Sequence, residues 1–290
     1  YSSGGLSKLT AVSNSTLIAH KVETSAELLG TEAVTVLASE WLLDPTDVTI
    51  AAGAAGGSTG GLLASALANA GVITITAGDI QAAINAGTSV NVVASGSITQ
   101  SGALSFANSS GTAATLTLDN TSGSKKAMTL SGGITATGSS LTNIVAKTAG
   151  GQIVISGAVN VTGAVTLDNT YAVGGSTSGF INETNGITYI GAVAGSNWGI
   201  KNTASITAKT INVTAANSGY TNLGFWAAAN LTASGDINVY ATNQFAQTSA
   251  GAGSSAFYTN SALNITSTGG TVNIIGKVQG TSANYSSGGI

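Results

Sequence analysis

The chain has 290 residues, enough for one large domain or two small ones, yet only 7% are charged, where about 25% is usual for soluble proteins. Eight Lys and Arg against eleven Asp and Glu give a net charge of −3, which argues against the clustered cations that nucleic acid or an anionic membrane surface requires. There is no Cys for disulfides or thiolate metal sites, and no run of about 18 apolar residues that would make a transmembrane helix.

The chain opens Tyr1-Ser2-Ser3-Gly4-Gly5-Leu6 and closes Tyr285-Ser286-Ser287-Gly288-Gly289-Ile290. Tyr is scarce, so the recurrence predicts a tandem repeat of about 284 residues, with this chain covering one period and the start of the next. Residues 1–60 form an opening segment unlike the rest. Six of the eleven acidic residues lie between Glu23 and Asp47. Val22 to Leu37 lacks a clean period and suits a short helix or strands with polar turns. Ala51 to Gly61 is almost wholly Ala, Gly, Ser and Thr and reads as a loop or crossing.

Residues 61–290 are predicted to form β-helix coils. From Val72 the pattern has period two, as in Ile73-Thr74-Ile75-Thr76, Leu116-Thr117-Leu118, Ile153-Val154-Ile155, Val165-Thr166-Leu167 and Ile206-Thr207. Alternation puts aliphatic side chains on one face and Thr or Asn on the other. An apolar-Asn-apolar triplet recurs at Val90-Asn91-Val92, Val159-Asn160-Val161, Ile211-Asn212-Val213, Ile237-Asn238-Val239 and Val272-Asn273-Ile274, with Asn expected to face outward. Short strands with small residues at the corners, continuing past 200 residues without a domain break, favour a solenoid over a sandwich or barrel. One short helix is predicted from Asp79 as N-cap to Gly87, before a return to strand at Ser89 to Ala94.

The segment Glu40-Trp41-Leu42-Leu43-Asp44-Pro45-Thr46-Asp47-Val48-Thr49-Ile50 resembles the Trp-Leu-Leu-Asp-Pro element of filamentous-haemagglutinin-like exoproteins, the secreted partners of two-partner secretion. Gly78-Asp79-Ile80 to Gly87-Thr88-Ser89-Val90-Asn91-Val92 is similar to the stretch that follows in that family. The likeness covers roughly residues 36 to 100; the rest matches only in style. It implies an all-β fold, a right-handed parallel β-helix, export through an outer-membrane transporter, and residence outside the cell or on its surface. It names no ligand.

Groups for catalysis are sparse. His20 is the only histidine and has no nucleophile context. Glu40, Asp44 and Asp47 are the densest carboxylates. They suit turn-capping better than Ca²⁺ binding or glycoside hydrolysis, and Trp41 and Leu42 are expected to anchor this corner in the core. A β-helix polysaccharide lyase or hydrolase, the rival reading, needs Asp, Arg and Lys along one groove. Lys125 and Lys126 have no acidic sequence neighbour, and Asp119, Asp168 and Asp236 lie apart. Leu118-Asp119-Asn120-Thr121 and Leu167-Asp168-Asn169-Thr170 are read as equivalent strand-to-turn junctions. Ice binding is a distant third, because the Thr-x-Thr pieces keep no fixed period.

Two surface features remain. Among the Asn-x-Ser/Thr sequons, at Asn14, Asn108, Asn120, Asn160, Asn182, Asn212, Asn230, Asn264 and Asn284, the candidates for glycosylation are Asn108, Asn160, Asn212 and Asn264. Trp198, Tyr220, Phe225, Trp226, Tyr240, Phe245, Phe257 and Tyr258 concentrate the aromatic residues late in the chain, with Phe225 and Trp226 the best candidates for an exposed contact. The expected role is that of an extracellular structural or adhesive fibre repeat, not an enzyme. It needs no cofactor or metal. Its partners would be its own neighbouring repeats, the transporter during export, and a host or matrix glycan.

Overall fold

A computed structural model describes residues 8–10, 16–18, 20–23, 28–30, 35–37, 40–43, 47–55, 72–124, 126–169, 180–183, 186–189, 198–217, 223–245, 255–259 and 262–280. Short strands with one aliphatic face cannot bury that face alone, and here they do so by coiling. The described strands form three long parallel sheets of eight, six and nine strands, called sheets I, II and III, with one helix among the described residues. From Ile98 onward each turn of chain gives one strand to each sheet in the order I, II, III. Ile98–Gln100, Leu104–Phe106 and Ala114–Ser124 form one such coil; Met128–Leu130, Ile134–Ala136 and Thr142–Ala149 form the next. This is a parallel β-helix.

Parallel register stacks like on like. In sheet III, Val90, Leu116, Ile144, Val165, Ile211 and Ile237 stand in one inward column. Sheet I stacks Val48, Ile98, Met128, Ile153, Ile200 and Phe225, and sheet II stacks Leu104, Ile134, Val159, Ile206 and Leu231. All are buried in one continuous core. Gln100 breaks the apolar rule by pointing into this core. Its amide is held by backbone: Nε2 donates to the Gly133 carbonyl at 3.3 Å, and Oε1 accepts from the Gly132 N–H at 3.3 Å.

The opening segment belongs to the same stack. Lys21–Glu23 and Glu40–Leu43 are the first two strands of sheet III, while Leu28–Gly30 and Thr35–Leu37 pair in parallel with Lys8–Thr10 and Thr16–Ile18. Strands, not a helix, therefore fill the described part of Val22 to Leu37. Most of the Gly/Ala-rich stretch, from residue 56 to 61, lies outside the described residues, as do the matching pentapeptides at the two ends.

The helix runs Ala77–Asn85 with Thr76 in the N-cap position, three residues before the predicted cap Asp79. Asp79 is not the cap but a first-turn residue, where a carboxylate is favoured by the helix dipole. It accepts a hydrogen bond from Thr76 Oγ1 at 3.0 Å. Gly87 has φ of 84° just past the last turn, the left-handed conformation that favours glycine there. The helix packs between Thr35–Leu37 and Leu104–Phe106, in the place where sheet II would carry a strand. Sheet I is irregular at the same level. Val72–Thr76 pairs with the side of Asp47–Ala51 facing away from Ile98–Gln100, so the strands stack out of chain order.

Candidate contact surface

Coils differ in length, but loops absorb the difference and the outward side chains still line up. On sheet II the outward column reads Ser105, Thr135, Asn160, Thr207, Thr232 and Thr266, with hydroxyls at every level except Asn160. The stretch from Asn160 to Thr207 is nearly twice as long as that from Thr207 to Thr232, yet both span one level. The lack of a fixed sequence period therefore does not preclude a regular hydroxyl row, contrary to the expectation from spacing.

Sheet III carries two columns of note. Asn212, Asn238 and Asn273 face outward as predicted and form an amide ladder: Asn238 Nδ2 donates to Asn212 Oδ1 at 3.1 Å, and Asn273 Nδ2 to Asn238 Oδ1 at 2.9 Å. Two residues along, Asp119, Lys147 and Asp168 stack on three successive coils, with Lys147 Nζ 2.8 Å from Asp119 Oδ2. The two Leu-Asp-Asn-Thr junctions are thus equivalent positions two coils apart. Their asparagines are both buried and clamp backbone. Asn120 Nδ2 donates to the Lys126 carbonyl at 3.1 Å. Asn169 Nδ2 donates to the Ala216 carbonyl at 2.9 Å, and its Oδ1 accepts from the Ala216 N–H at 2.7 Å. Sequence reasoning missed Lys147, because nothing local to it announces two carboxylates on neighbouring coils.

The carboxylates around Trp41 do not converge. Asp47 accepts a hydrogen bond from the Ser97 N–H and so caps the turn of another coil. Glu40 meets Lys21 at 3.6 Å on the surface, and Asp44 lies outside the described residues. Leu42 occupies the outward column beside Asn91 and is half-buried, which corrects its placement as a core anchor; Trp41 pairs by backbone with Val90. His20 and Lys126 are exposed, and Lys125 lies outside the described residues. Among the described residues no three His, Cys, Asp or Glu side chains gather as a metal site.

Asn108 is fully buried, which corrects its nomination for glycosylation. Its Nδ2 donates to the Thr112 carbonyl at 2.9 Å, and its Oδ1 accepts from Ser110 Oγ at 2.8 Å, so the amide is spent inside a turn. Asn160 and Asn264 are exposed and Asn212 is half-buried in its ladder.

The aromatic surface lies on sheet I. Its outward column runs Thr74, Thr49, Thr99, Thr129, Val154, Lys201, Trp226 and Tyr258. Trp226 faces outward and is half-buried, but Phe225 is 0% exposed and packs its ring against Phe257 at 5.7 Å between centroids, which corrects its assignment to the surface. The reason is local: adjacent strand residues face opposite ways, so with Trp226 outward Phe225 points in, and Gly224 is buried as well. Trp198 and Trp226 meet edge to face at 5.2 Å, Trp226 and Tyr258 at 6.2 Å, and Lys201 Nζ sits 4.4 Å from the Trp198 ring and 4.2 Å from the Trp226 ring. Tyr220 lies outside the described residues.

No protein-family model matches the chain, and no curated protein and no solved structure matches it.

Proposed function

We propose that this chain is a structural and adhesive element of an extracellular fibre, part of a large secreted bacterial surface protein of the filamentous-haemagglutinin-like kind. The observation that carries the reading is the in-register stacking of coil on coil, in which each layer covers the apolar face of its neighbour. Val272 stands directly above Ile237 in one inward column; Ile237 is 0% exposed and Val272 42%. In sheet I, Phe225 is fully buried while Phe257 above it is only half-buried, and in sheet II the same holds for Leu231 and Ile265. Each layer is sealed by the one above.

The neutral Thr, Ser and Asn columns suit a surface that works by length and repetition. Export through an outer-membrane transporter and residence at the cell surface follow from the family resemblance of residues 36 to 100. Among the described residues no helix is long and apolar enough to cross a membrane.

Electron microscopy of native cell surfaces and of the secreted protein tests the reading. Filaments or stalks one β-helix wide, lengthening by about 4.8 Å for every coil, are expected. Compact particles without an axial stack would overturn it. Cleavage of a polysaccharide panel by the purified chain would favour the carbohydrate-acting alternative.

A further inference from the structure

The outward column of sheet I changes character along the fibre axis: hydroxyls at Thr74, Thr49, Thr99 and Thr129, then Val154, then an ammonium and aromatic rings from Lys201 to Tyr258. We propose that Trp198, Lys201, Trp226 and Tyr258 form a binding site for an acidic polysaccharide whose charged groups are sugar carboxylates. The inference rests on the adhesive reading above and names the class of ligand it would hold.

Lys201 is the centre of the argument. Two indole rings lie within 4.4 Å of its Nζ, so the ammonium is fixed in place. The rings attract the cation but leave its formal charge uncancelled, and they offer its three N–H groups no lone pair in return. Among the described residues no carboxylate forms an ion pair with Lys201, whereas Lys21 and Lys147 each have one. Only eight Lys and Arg occur in the chain, and Lys201 stands in the aromatic patch with no carboxylate partner among the described residues. An anion is the complement of that charge.

The rings supply the rest. Trp198 and Trp226 are half-buried and Tyr258 is 38% exposed, so apolar ring surface borders the ammonium in the open. A pyranose presents C–H groups on its faces and hydroxyls at its rim, which suits an aromatic wall with hydroxyl-bearing side chains further along the same column, beyond Val154. Coils repeat every ~4.8 Å, so the column from Lys201 to Tyr258 extends about 10 Å. A linear polymer laid along the axis would meet rings and ammonium at one end. It would meet the Thr hydroxyls further down the same column. A protein partner would want a larger dry patch; the hydroxyl continuation and the isolated charge favour the sugar.

Calorimetric titration of the full chain with galacturonate oligomers, against galactose oligomers of the same length and linkage, tests the site. The acidic oligomer is expected to bind and to weaken as salt is raised. Lys201→Met should lose about tenfold or more in affinity, the scale of a charge-assisted hydrogen bond, while Lys201→Arg keeps most of it. Trp226→Ala should also lose binding. Unchanged melting of Lys201→Met shows that its loss is local, and retained binding by Lys201→Arg is the check that does not depend on it. Equal binding of the neutral oligomer, no binding of either, or an unaffected Lys201→Met would overturn the proposal. A Trp226→Ala variant that changes only the sedimentation of the protein would also do so, by making a second copy the occupant. Microscopy of the same material separates the two readings. Filaments without oligomer binding remove the site alone, and oligomer binding without filaments removes the fibre role alone.

Discussion

Lys147 stands one coil above Asp119 with its ammonium 2.8 Å from the carboxylate, and Asp168 occupies the same column on the next coil. Both paired side chains are mostly withdrawn from water, at 23% and 11% exposure, so the pair is shielded far more than the surface contact of Lys21 with Glu40. Removing the cation leaves a covered carboxylate with two like charges in one column. Lys147→Met is expected to cost about 2 kcal/mol, and adding Asp119→Asn to it should restore part of that loss. Chemical denaturation of the two variants checks this; a double variant no more stable than the single one would contradict it.

Gly138 marks where coils touch backbone to backbone. A Cβ there would lie 2.0 Å from the carbonyl oxygen of Asn108 on the neighbouring coil, an atom that no rotamer change can move. Gly138→Ala is expected to destabilise by roughly 1–3 kcal/mol as an overpacking change. Hydrogen exchange should show the loss first in the turn around Asn108 and Thr112, whose amide contacts depend on that spacing.

Phe225 and Trp226 are adjacent and face opposite ways, so their truncations should separate. Phe225→Ala opens a cavity in the core and should cost about 3–5 kcal/mol. Trp226→Ala gives up two edge-to-face contacts and a cation–π contact at a half-exposed position, and should cost only ~1 kcal/mol. Equal losses in denaturant midpoint would show that the inside-outside assignment of this strand is mistaken.

Asp236 provides a pH dependence. Its carboxylate accepts the Thr271 N–H at 2.8 Å and the Thr271 hydroxyl at 3.1 Å, and these bonds hold its pKa below the ordinary 3.8, backbone first and hydroxyl second. A lowered folded-state pKa contributes stability above the unfolded value, and that contribution disappears as pH falls below 3.8 through the folded value. At neutral pH, Asp236→Asn is therefore expected to melt below the parent protein, and the gap should close in acid. Melting curves of both proteins across that range decide it; a gap that persists in acid assigns the effect to something other than the charge.

Much of this architecture was readable from alternation alone, because a residue's face in a strand is set by parity. Leu116, Leu118, Ile153, Val165 and Ile206 fall inside as the pattern requires, and Asn212, Asn238 and Asn273 fall outside. The repeated Leu-Asp-Asn-Thr marked equivalent corners. The Gly/Ala/Asn surroundings of Phe225 point to an exposed residue beside Trp226, but adjacent strand residues face opposite ways and Phe225 lies inside. The sequon misled at Asn108, which, like Gln100, is a polar residue buried because nearby backbone groups satisfy its amide. Vertical register was illegible. Whether Lys147 stacks on Asp119, or Lys201 beneath Trp226, depends on how many residues each loop absorbs, and that is fixed by packing among coils distant in sequence.

Val72–Thr76 sits beneath Asp47–Ala51, while Ile98–Gln100 sits above it. Elsewhere in the stack each finished layer can template the next as the polypeptide emerges N-terminus first. At this level growth must double back: Asp47–Ala51 acquires its lower neighbour only after Val72–Thr76 has appeared, and its upper one later still. Closing this level, which also interrupts sheet II with a helix, therefore needs about fifty residues, from Asp47–Ala51 to Ile98–Gln100, to be in place together.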